Sequence, residues 1–154
     1  MCRIVDNRGV IVSATLANEV NLHDVERRNA FLLGRAKYNN ASYALDLLTP
    51  LLDGSFSLDD VSKTKINIRI EGVDGYELEG QSLIREFSRD PEDLVAQAIG
   101  TNHQYLDSLT LLTGTMFTPV EHRREAGEGF IHHDGDVVMI SSVKLGVLIN
   151  TVAS

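Results

Sequence analysis

The sequence predicts a single β-rich α+β domain with two short helices, spanning residues 1–154. Its length and its 43% content of hydrophobic residues suit one compact domain with its own core. Apolar and polar residues alternate strictly at 65–71, which is typical of a half-buried strand, and turn residues separate the other apolar runs. Strands joined by local turns, with few helical patterns between them, predict the α+β class.

The chain opens with a predicted β-hairpin. Two apolar runs, Cys2 to Val5 and Val10 to Leu16, flank the turn signal Asp6-Asn7-Arg8-Gly9. A strand that starts this close to the first residue leads us to expect that the chain begins inside a larger fold.

A first helix is predicted after this hairpin. Asn21 is a suitable N-cap residue, with Asp24 three positions later. Apolar residues at positions 22, 25, 32 and 33 form an imperfect helical stripe, and Gly34 is suited to end the helix. Residues 35–43 are then predicted to form a polar connector.

A second hairpin and a second helix are predicted in the centre of the chain. Asp74-Gly75 separates the strand at 65–71 from an alternating segment at 76–79 and predicts a tight turn with positive φ angles. Asp90-Pro91-Glu92-Asp93 combines a capping acid, a first-turn proline and acids that suit the helix dipole. The buried face of this helix is predicted at positions 94, 95, 98 and 99, with Gly100 at its end.

The last third of the chain is predicted to hold a buried strand at 109–117, a charged loop at 119–130 and closing strands at 137–140 and 147–152. His132-His133-Asp134 lies between them and is predicted to be a surface loop. Adjacent residues of an extended chain point to opposite faces, so both histidines cannot easily bind one metal ion.

Composition excludes several classes of function. The net charge of −8 argues against binding to nucleic acid or to an anionic membrane. No apolar stretch reaches 18 residues, and the N-terminus lacks the pattern of a signal peptide. The single cysteine, Cys2, cannot form an internal disulfide, which favours a reducing cytoplasm.

Four segments, in order, carry a resemblance to a known family. They are Asn18-Glu19-Val20-Asn21-Leu22-His23-Asp24, Gly34-Arg35-Ala36-Lys37-Tyr38-Asn39-Asn40-Ala41-Ser42, Leu112-Thr113-Gly114-Thr115, and Gly135-Asp136-Val137-Val138 with Gly146-Val147-Leu148-Ile149-Asn150. With these the chain resembles the C-terminal catalytic domain of the fumarylacetoacetate hydrolase family, in particular its 2-keto-3-deoxy sugar-acid dehydratase-like branch. The resemblance covers nearly the whole chain and implies a mixed β-roll.

The resemblance also implies a chemistry. In the family a hard cation such as Mg²⁺ or Mn²⁺, held by a Glu-x-Glu pair and an Asp, binds a 2-keto or diketo acid and stabilises an enolate-like intermediate. The resemblance assigns metal binding to Glu19 and catalysis to Lys37, His23 and Asp24. It assigns substrate binding to Asn40, Gly114 and Thr115. The loop can also be aligned with Arg35 in the place of Lys37. We prefer Lys37 because only a lysine could serve as an acid or base.

The chain departs from the family pattern at the metal site. Glu19 replaces the Asp and adds a methylene, and His23 replaces an Arg and so loses a permanent bidentate donor. The family's Glu-x-Glu pair precedes the hairpin with which this chain opens. Glu77-Leu78-Glu79 has the same spelling, but its alternation predicts the solvent face of a strand. We therefore expect an incomplete metal centre in this chain.

The same residues also have structural interpretations. Glu19 fits a charge at a strand end, Asp24 a first-turn capping residue, and Lys37 a solvated lysine of a polar loop. Gly114 fits a position where another backbone approaches closely.

Three functions remain open from the sequence. The first is a hydrolase or hydro-lyase acting on a 2-keto or diketo acid, whose missing carboxylates come from a partner chain or an upstream peptide. The second is a non-catalytic, truncated remnant that serves as a structural or subunit-contact module and exposes a sheet edge or an apolar patch. The third is binding of a keto acid without turnover. The expected partners are a small keto acid and a second copy of the chain in a homodimer.

Overall fold

The computed structural model describes residues 1–47, 50–115, 117, 119, 123 and 130–153, with the side chain of Asp24 left out. Within these residues the strands are β1 Cys2–Asp6, β2 Ile11–Thr15, β3 Ala17–Glu19, β4 Tyr43–Leu45, β5 Lys65–Glu71, β6 Glu77–Leu83, β7 Ser108–Leu112, β8 Val137–Ser142 and β9 Gly146–Thr151. The α-helices are α1 His23–Glu26, α2 Leu33–Lys37, α3 Leu58–Ser62 and α4 Pro91–Ala98. The predicted β-rich α+β class is confirmed.

The described strands form three antiparallel sheets. Their orders are β2-β1-β7, β3-β4 and β6-β5-β8-β9. One face of the four-stranded sheet is buried, because Ile70, Leu78 and Val138 lie side by side in the register. The largest buried cluster lies against this face. A smaller cluster of Val5, Ile11 and Val95 joins the first sheet to α4.

Arg3 lies fully buried on β1, between Ala14 and Leu111 in the strand register. None of its three guanidinium nitrogens has a hydrogen-bond partner among the residues that the structure describes. Burial lowers the pKa of Arg3, and the negative charge of Asp90 at the start of α4 partly opposes that shift. An arginine remains charged even so, and an unpaired buried cation costs free energy.

Both predicted hairpins are present. In the first, Asp6 Oδ1 accepts hydrogen bonds from the backbone N–H groups of Arg8 and Val10, each at 2.9 Å, and Gly9 has a φ of 85°. In the second, the backbone N–H of Gly72 donates to the carbonyl of Tyr76. The chain therefore reverses over the five residues 72–76. The predicted tight turn at Asp74-Gly75 is present, because the backbone N–H of Gly75 donates to the Gly72 carbonyl at 3.0 Å and Gly75 has a φ of 81°, but Asp74 does not have the predicted positive φ.

The predicted first helix is wrong in its cap and its length. The amide of Asn21 donates to the Glu26 carboxylate, and Leu22 is the N-cap residue of α1, with no side-chain capping bond. Two separate helices, α1 and α2, and a 3-10 turn at Ala30–Leu32 replace the single helix. Gly34 lies inside α2 and does not end a helix.

The second predicted helix is correct, and a further helix was missed. Asp90 caps α4 by accepting a hydrogen bond from the Glu92 N–H at 2.9 Å, and Val95 is buried. The unpredicted α3 begins with a capping box, in which the side chains of Ser57 and Asp60 each accept from the other's backbone N–H. The chain thus has more than the two predicted helices.

The C-terminal strands follow the prediction, with one exception. β8 and β9 cover the two closing strands, and Gly146 between them has a φ of 84°. β7 ends at Leu112 and none of its residues is fully buried, so the predicted buried strand at 109–117 is wrong in its length and in its burial, and residue 116 lies outside the described residues. Most of the predicted charged loop at 119–130 lies outside the described residues. Among the described residues, no helix is long and apolar enough to cross a membrane.

Candidate functional site

Glu19 and Lys37 form the centre of the candidate site. Glu19 ends β3, and Lys37 is the last residue of α2. Lys37 Nζ lies 3.2 Å from Glu19 Oε2, with 33% of the lysine side chain and 19% of the glutamate side chain exposed to solvent. Partial burial makes this pair stronger than one in open solvent. Arg35, the alternative for the family lysine, is exposed.

Tyr43 lies beside this pair and contacts the segment that carries Lys37. It lies opposite Glu19 in the β3–β4 register, and its hydroxyl donates to the backbone carbonyl of Lys37 at 2.8 Å. Partial burial raises the pKa of Tyr43, and the negative charge of Glu19 raises it further. The Tyr43 hydroxyl therefore stays protonated at neutral pH and holds the end of α2 against β4.

Asn18 connects the site to the four-stranded sheet. Its side-chain amide donates to the Asn150 Oδ1 of β9 at 3.4 Å, across 132 residues of sequence. The Asn150 side chain lies on the buried face of the sheet, because its register partner is the buried Val138. The segment that begins at Asn18 thus sits over the inner face of β9.

A network of charged side chains lies at the start of β8, in the same four-stranded sheet. Arg123, 1% exposed, donates to both carboxylate oxygens of the fully buried Asp136, with Nη2 at 2.8 Å from Oδ1. The same guanidinium bonds Asp74 at 2.8 Å and lies 4.7 Å from the centre of the Tyr76 ring. Burial, the largest single influence, raises the pKa of Asp136, but the hydrogen bonds from Arg123 and the His133 N–H, together with the charge of Arg123, keep that pKa below its usual value. Asp136 is therefore ionised at neutral pH.

His132 and His133 lie on either side of this network. His132 Nδ1 is 3.6 Å from Asp136 Oδ2, and His133 Nδ1 is 3.6 Å from Asp74 Oδ2. About three quarters of each side chain is buried. The segment is a loop, as predicted, but its two histidines are mostly buried and do not lie on the surface, and the two rings face different partners as expected.

In the described part of the chain, the remaining predicted site residues have no hydrogen bond or ion pair with Glu19 or Lys37. His23 begins α1, and the side chain of Asp24 lies outside the described residues. Asn40 and Thr115 are exposed, and Thr115 Oγ1 accepts from the Phe117 N–H at 3.1 Å. Gly114 has a φ of 75° with open space around it. Its glycine is thus required by backbone conformation and not by a close approach.

The side chains described here do not form the oxygen-rich cage that a hard divalent cation requires. No group of three His, Cys, Asp or Glu side chains converges in the described residues. Glu19, the predicted ligand, is bound to Lys37 instead. A Mg²⁺ ion needs six oxygen ligands in near-octahedral geometry, and one carboxylate already paired with an ammonium does not supply them.

Comparison with known proteins gives the fold. No protein-family model and no curated protein matches the chain. A structure of 2-keto-3-deoxy-D-arabinonate dehydratase complexed with magnesium and 2,5-dioxopentanoate matches at a TM-score of 0.79 and 22% identity. The apo form of that dehydratase and a hexagonal crystal form match at 0.77, also at 22% identity. Each match covers 97% of this chain and about half of the dehydratase chain. The chain therefore has the fold of half of this enzyme.

Proposed function

We propose that this chain is a fumarylacetoacetate hydrolase-like domain that binds a 2-keto or diketo acid at the Glu19–Lys37 pair, the substrate class of the family's hydrolases and hydro-lyases. The observation that carries the proposal is the contact between Glu19 and Lys37, two residues that the family resemblance singled out, on a fold shared with a keto-acid dehydratase. The shared fold alone would not suffice, because one fold serves many functions.

The chemistry of the pair suits an anionic keto acid. Lys37 carries a positive charge at the end of a short helix, one third exposed, so a carboxylate can reach it. The Tyr43 hydroxyl, kept protonated, fixes the backbone from which Lys37 projects. An ammonium group next to the 2-keto carbon would also stabilise negative charge that develops when a proton leaves the neighbouring carbon.

Binding of a keto acid at Lys37 does not require a metal ion in this proposal. The dehydratase neighbour was solved with magnesium, and a bound divalent cation would supply Lewis-acid activation of the keto group. The described residues do not supply the ligand set of such an ion. We expect keto-acid binding by this chain to be unchanged by millimolar Mg²⁺ or Mn²⁺.

Isothermal titration with pyruvate tests the proposal. We expect a millimolar Kd for the wild type and a roughly tenfold weaker one for Lys37→Met, because this variant lacks the ammonium group that would contact the carboxylate of pyruvate. A tenfold change in Kd corresponds to about 1.4 kcal/mol. Lys63→Met is the matched control, since Lys63 also pairs with a carboxylate, Asp59, but on α3. No binding at tens of millimolar, or equal weakening by both variants, would contradict the proposal.

A structural or subunit-contact role is the second candidate, and an exposed apolar surface favours it. Val147 and Ile149 on the edge strand β9 are 54% and 55% exposed, beside the half-buried Met139 of β8. An edge strand with apolar side chains invites pairing with a second copy. Sedimentation equilibrium tests this role: a homodimer that Ile149→Lys converts to monomer supports it, and a wild-type monomer at 100 μM or so excludes it.

We also propose a cytoplasmic location. Cys2, the single cysteine of the sequence, is buried in β1, where it has no cysteine to pair with. Fractionation of expressing cells would test this assignment.

A further inference from the structure

Two apolar side chains, Tyr43 and Leu45, lie on the same face of the β3–β4 sheet as Glu19. In the register of the two strands, Tyr43 is opposite Glu19 and Leu45 is opposite Ala17. Residues that face each other across two strands project from one face of the sheet, and so do alternate residues of one strand. We call Tyr43 and Leu45 the apolar strip of the candidate site.

The apolar strip is open to solvent. Tyr43 is 40% exposed and Leu45 is 43% exposed, whereas the small Ala17 opposite Leu45 is nearly buried. Leu45 lies about 7 Å beyond Tyr43 at the usual rise of a strand. The strip therefore leads away from the Glu19–Lys37 pair as an accessible apolar surface. Apolar side chains beside a few polar groups are the usual lining of a small-molecule site.

Direct contacts hold the start of the strip beside the ion pair. The Tyr43 hydroxyl donates to the backbone carbonyl of Lys37 at 2.8 Å, and Lys37 Nζ lies 3.2 Å from Glu19 Oε2. Because Tyr43 is also the register partner of Glu19, each of the three residues is linked to the other two. A ligand whose carboxylate contacts the Lys37 ammonium therefore has its remaining atoms next to the Tyr43 ring.

The chemistry of the strip favours an apolar chain over a hydroxylated one. The side chains of Leu45 and Ala17 have no hydrogen-bonding group, and the Tyr43 hydroxyl already donates its proton to Lys37. Hydroxyl groups of a sugar acid would lose water here without gaining partners, which costs free energy. An aromatic or branched aliphatic group would instead bury apolar surface against the Tyr43 ring and the Leu45 side chain.

We infer that the apolar strip makes the site selective for 2-keto acids with an aromatic or branched apolar chain, bound with the carboxylate at Lys37 and the chain along Tyr43 and Leu45. The inference rests on the proposed function and names the substrate class of that site. Leu45 contacts only the part of the ligand beyond the keto group. It is a specificity-determining residue and takes no part in proton transfer.

Isothermal titration with three 2-keto acids tests the selectivity. We expect the Kd of phenylpyruvate to be about tenfold lower than that of pyruvate, because its phenyl ring buries apolar surface on the strip. The polyhydroxylated 2-keto-D-gluconate should bind no more tightly than pyruvate. In Leu45→Ser the preference for phenylpyruvate over pyruvate should fall to about twofold or less. Leu106→Ser is the matched control, since Leu106 is an exposed leucine between α4 and β7, and its preference should equal that of the wild type.

An NMR measurement on the wild type gives the same information without a variant. We expect intermolecular nuclear Overhauser effects from the ring protons of phenylpyruvate to the Leu45 methyl groups and to the Tyr43 ring. Such effects at Val147 and Ile149 of β9, and none at Tyr43 and Leu45, would overturn the inference.

The outcomes separate the selectivity of the site from its existence. A wild type that does not bind pyruvate overturns the proposed function and the inference with it. Binding of pyruvate together with phenylpyruvate binding that is no tighter overturns the inference alone. So does a preference for phenylpyruvate that is unchanged in Leu45→Ser, or a Kd for phenylpyruvate that is unchanged in Lys37→Met.

Discussion

Lys37 Nζ and Glu19 Oε2 lie 3.2 Å apart although the two residues belong to different elements, a short helix and a short strand. The β3–β4 pairing sets this distance, because it places Tyr43 opposite Glu19 and Tyr43 in turn bonds the Lys37 carbonyl. The ion pair is thus built by local structure on both sides.

Removing the charge of Glu19 should strengthen the binding of keto acids. In Glu19→Gln the ammonium of Lys37 no longer has a competing carboxylate, so we expect a several-fold lower Kd for pyruvate in the absence of metal. Glu79→Gln is the control, since Glu79 pairs with Arg69 on an exposed strand. Weaker binding in Glu19→Gln, together with a gain in affinity on adding Mg²⁺ that is seen in the wild type and lost in the variant, would instead indicate that Glu19 is a metal ligand.

Replacing Arg3 with an apolar residue should stabilise the protein. Arg3 is fully buried and its guanidinium has no hydrogen-bond partner in the described part of the chain, whereas methionine fills a similar volume without a charge. We expect Arg3→Met to raise the free energy of unfolding by roughly 1–4 kcal/mol, the range seen when buried charges are replaced. Urea denaturation measures it, with the exposed Arg8→Met as a control expected near zero. A destabilised Arg3→Met would show that the charge is satisfied.

Breaking the Arg123–Asp136 pair should have the opposite effect. Both side chains are buried, so Arg123→Met leaves the Asp136 carboxylate without its main donor. Removing one partner of a buried pair costs roughly 3–5 kcal/mol. Thermal unfolding of Arg123→Met should show this loss, and Arg69→Met, on an exposed ion-pair cluster, should lose far less. Equal losses of stability in the two variants would mean that the buried network contributes no more to the free energy of unfolding than the exposed one.

Stability should fall in acid because of the same network. Hydrogen bonds from Arg123 lower the pKa of Asp74 to about 2, and the pKa of Asp136 is also lowered. A carboxyl whose pKa is depressed by folding contributes stability above its unfolded pKa, near 4, and that contribution is lost as pH falls toward the folded value. Circular dichroism between pH 6 and pH 2 should show this decline, and Asp74→Asn should flatten it. An unchanged slope in Asp74→Asn would contradict the assignment.

Much of the fold could be predicted because its signals are local. The alternation at 65–71 and the Asp90 cap each involve only a few neighbouring residues. The structure has the predicted strand, β5, and the predicted helix, α4, at these positions. The first helix was predicted with the wrong cap because Asn21, a suitable cap by type, bonds Glu26 instead. α3 was missed because its apolar face is a single turn long, with only Val61 buried.

The candidate site could be predicted in part. The family resemblance pointed to Glu19 and Lys37, and the structure brings them together. The Arg123 network could not be predicted, since Arg123 and Asp74 are 49 residues apart and no sequence pattern joins them. The two histidines beside it looked like a surface loop for the same reason, because the residues that bury them lie elsewhere in the chain.

The most direct test of a keto-acid site at Glu19 and Lys37 is a map of amide chemical shifts in ¹⁵N-labelled protein titrated with pyruvate. We predict that the saturable shifts cluster at the ends of β3 and α2 and at the start of β4, and that they vanish in Lys37→Met but persist in Lys63→Met. Saturable shifts confined to another surface, or no saturable shift at all, would contradict the proposed function.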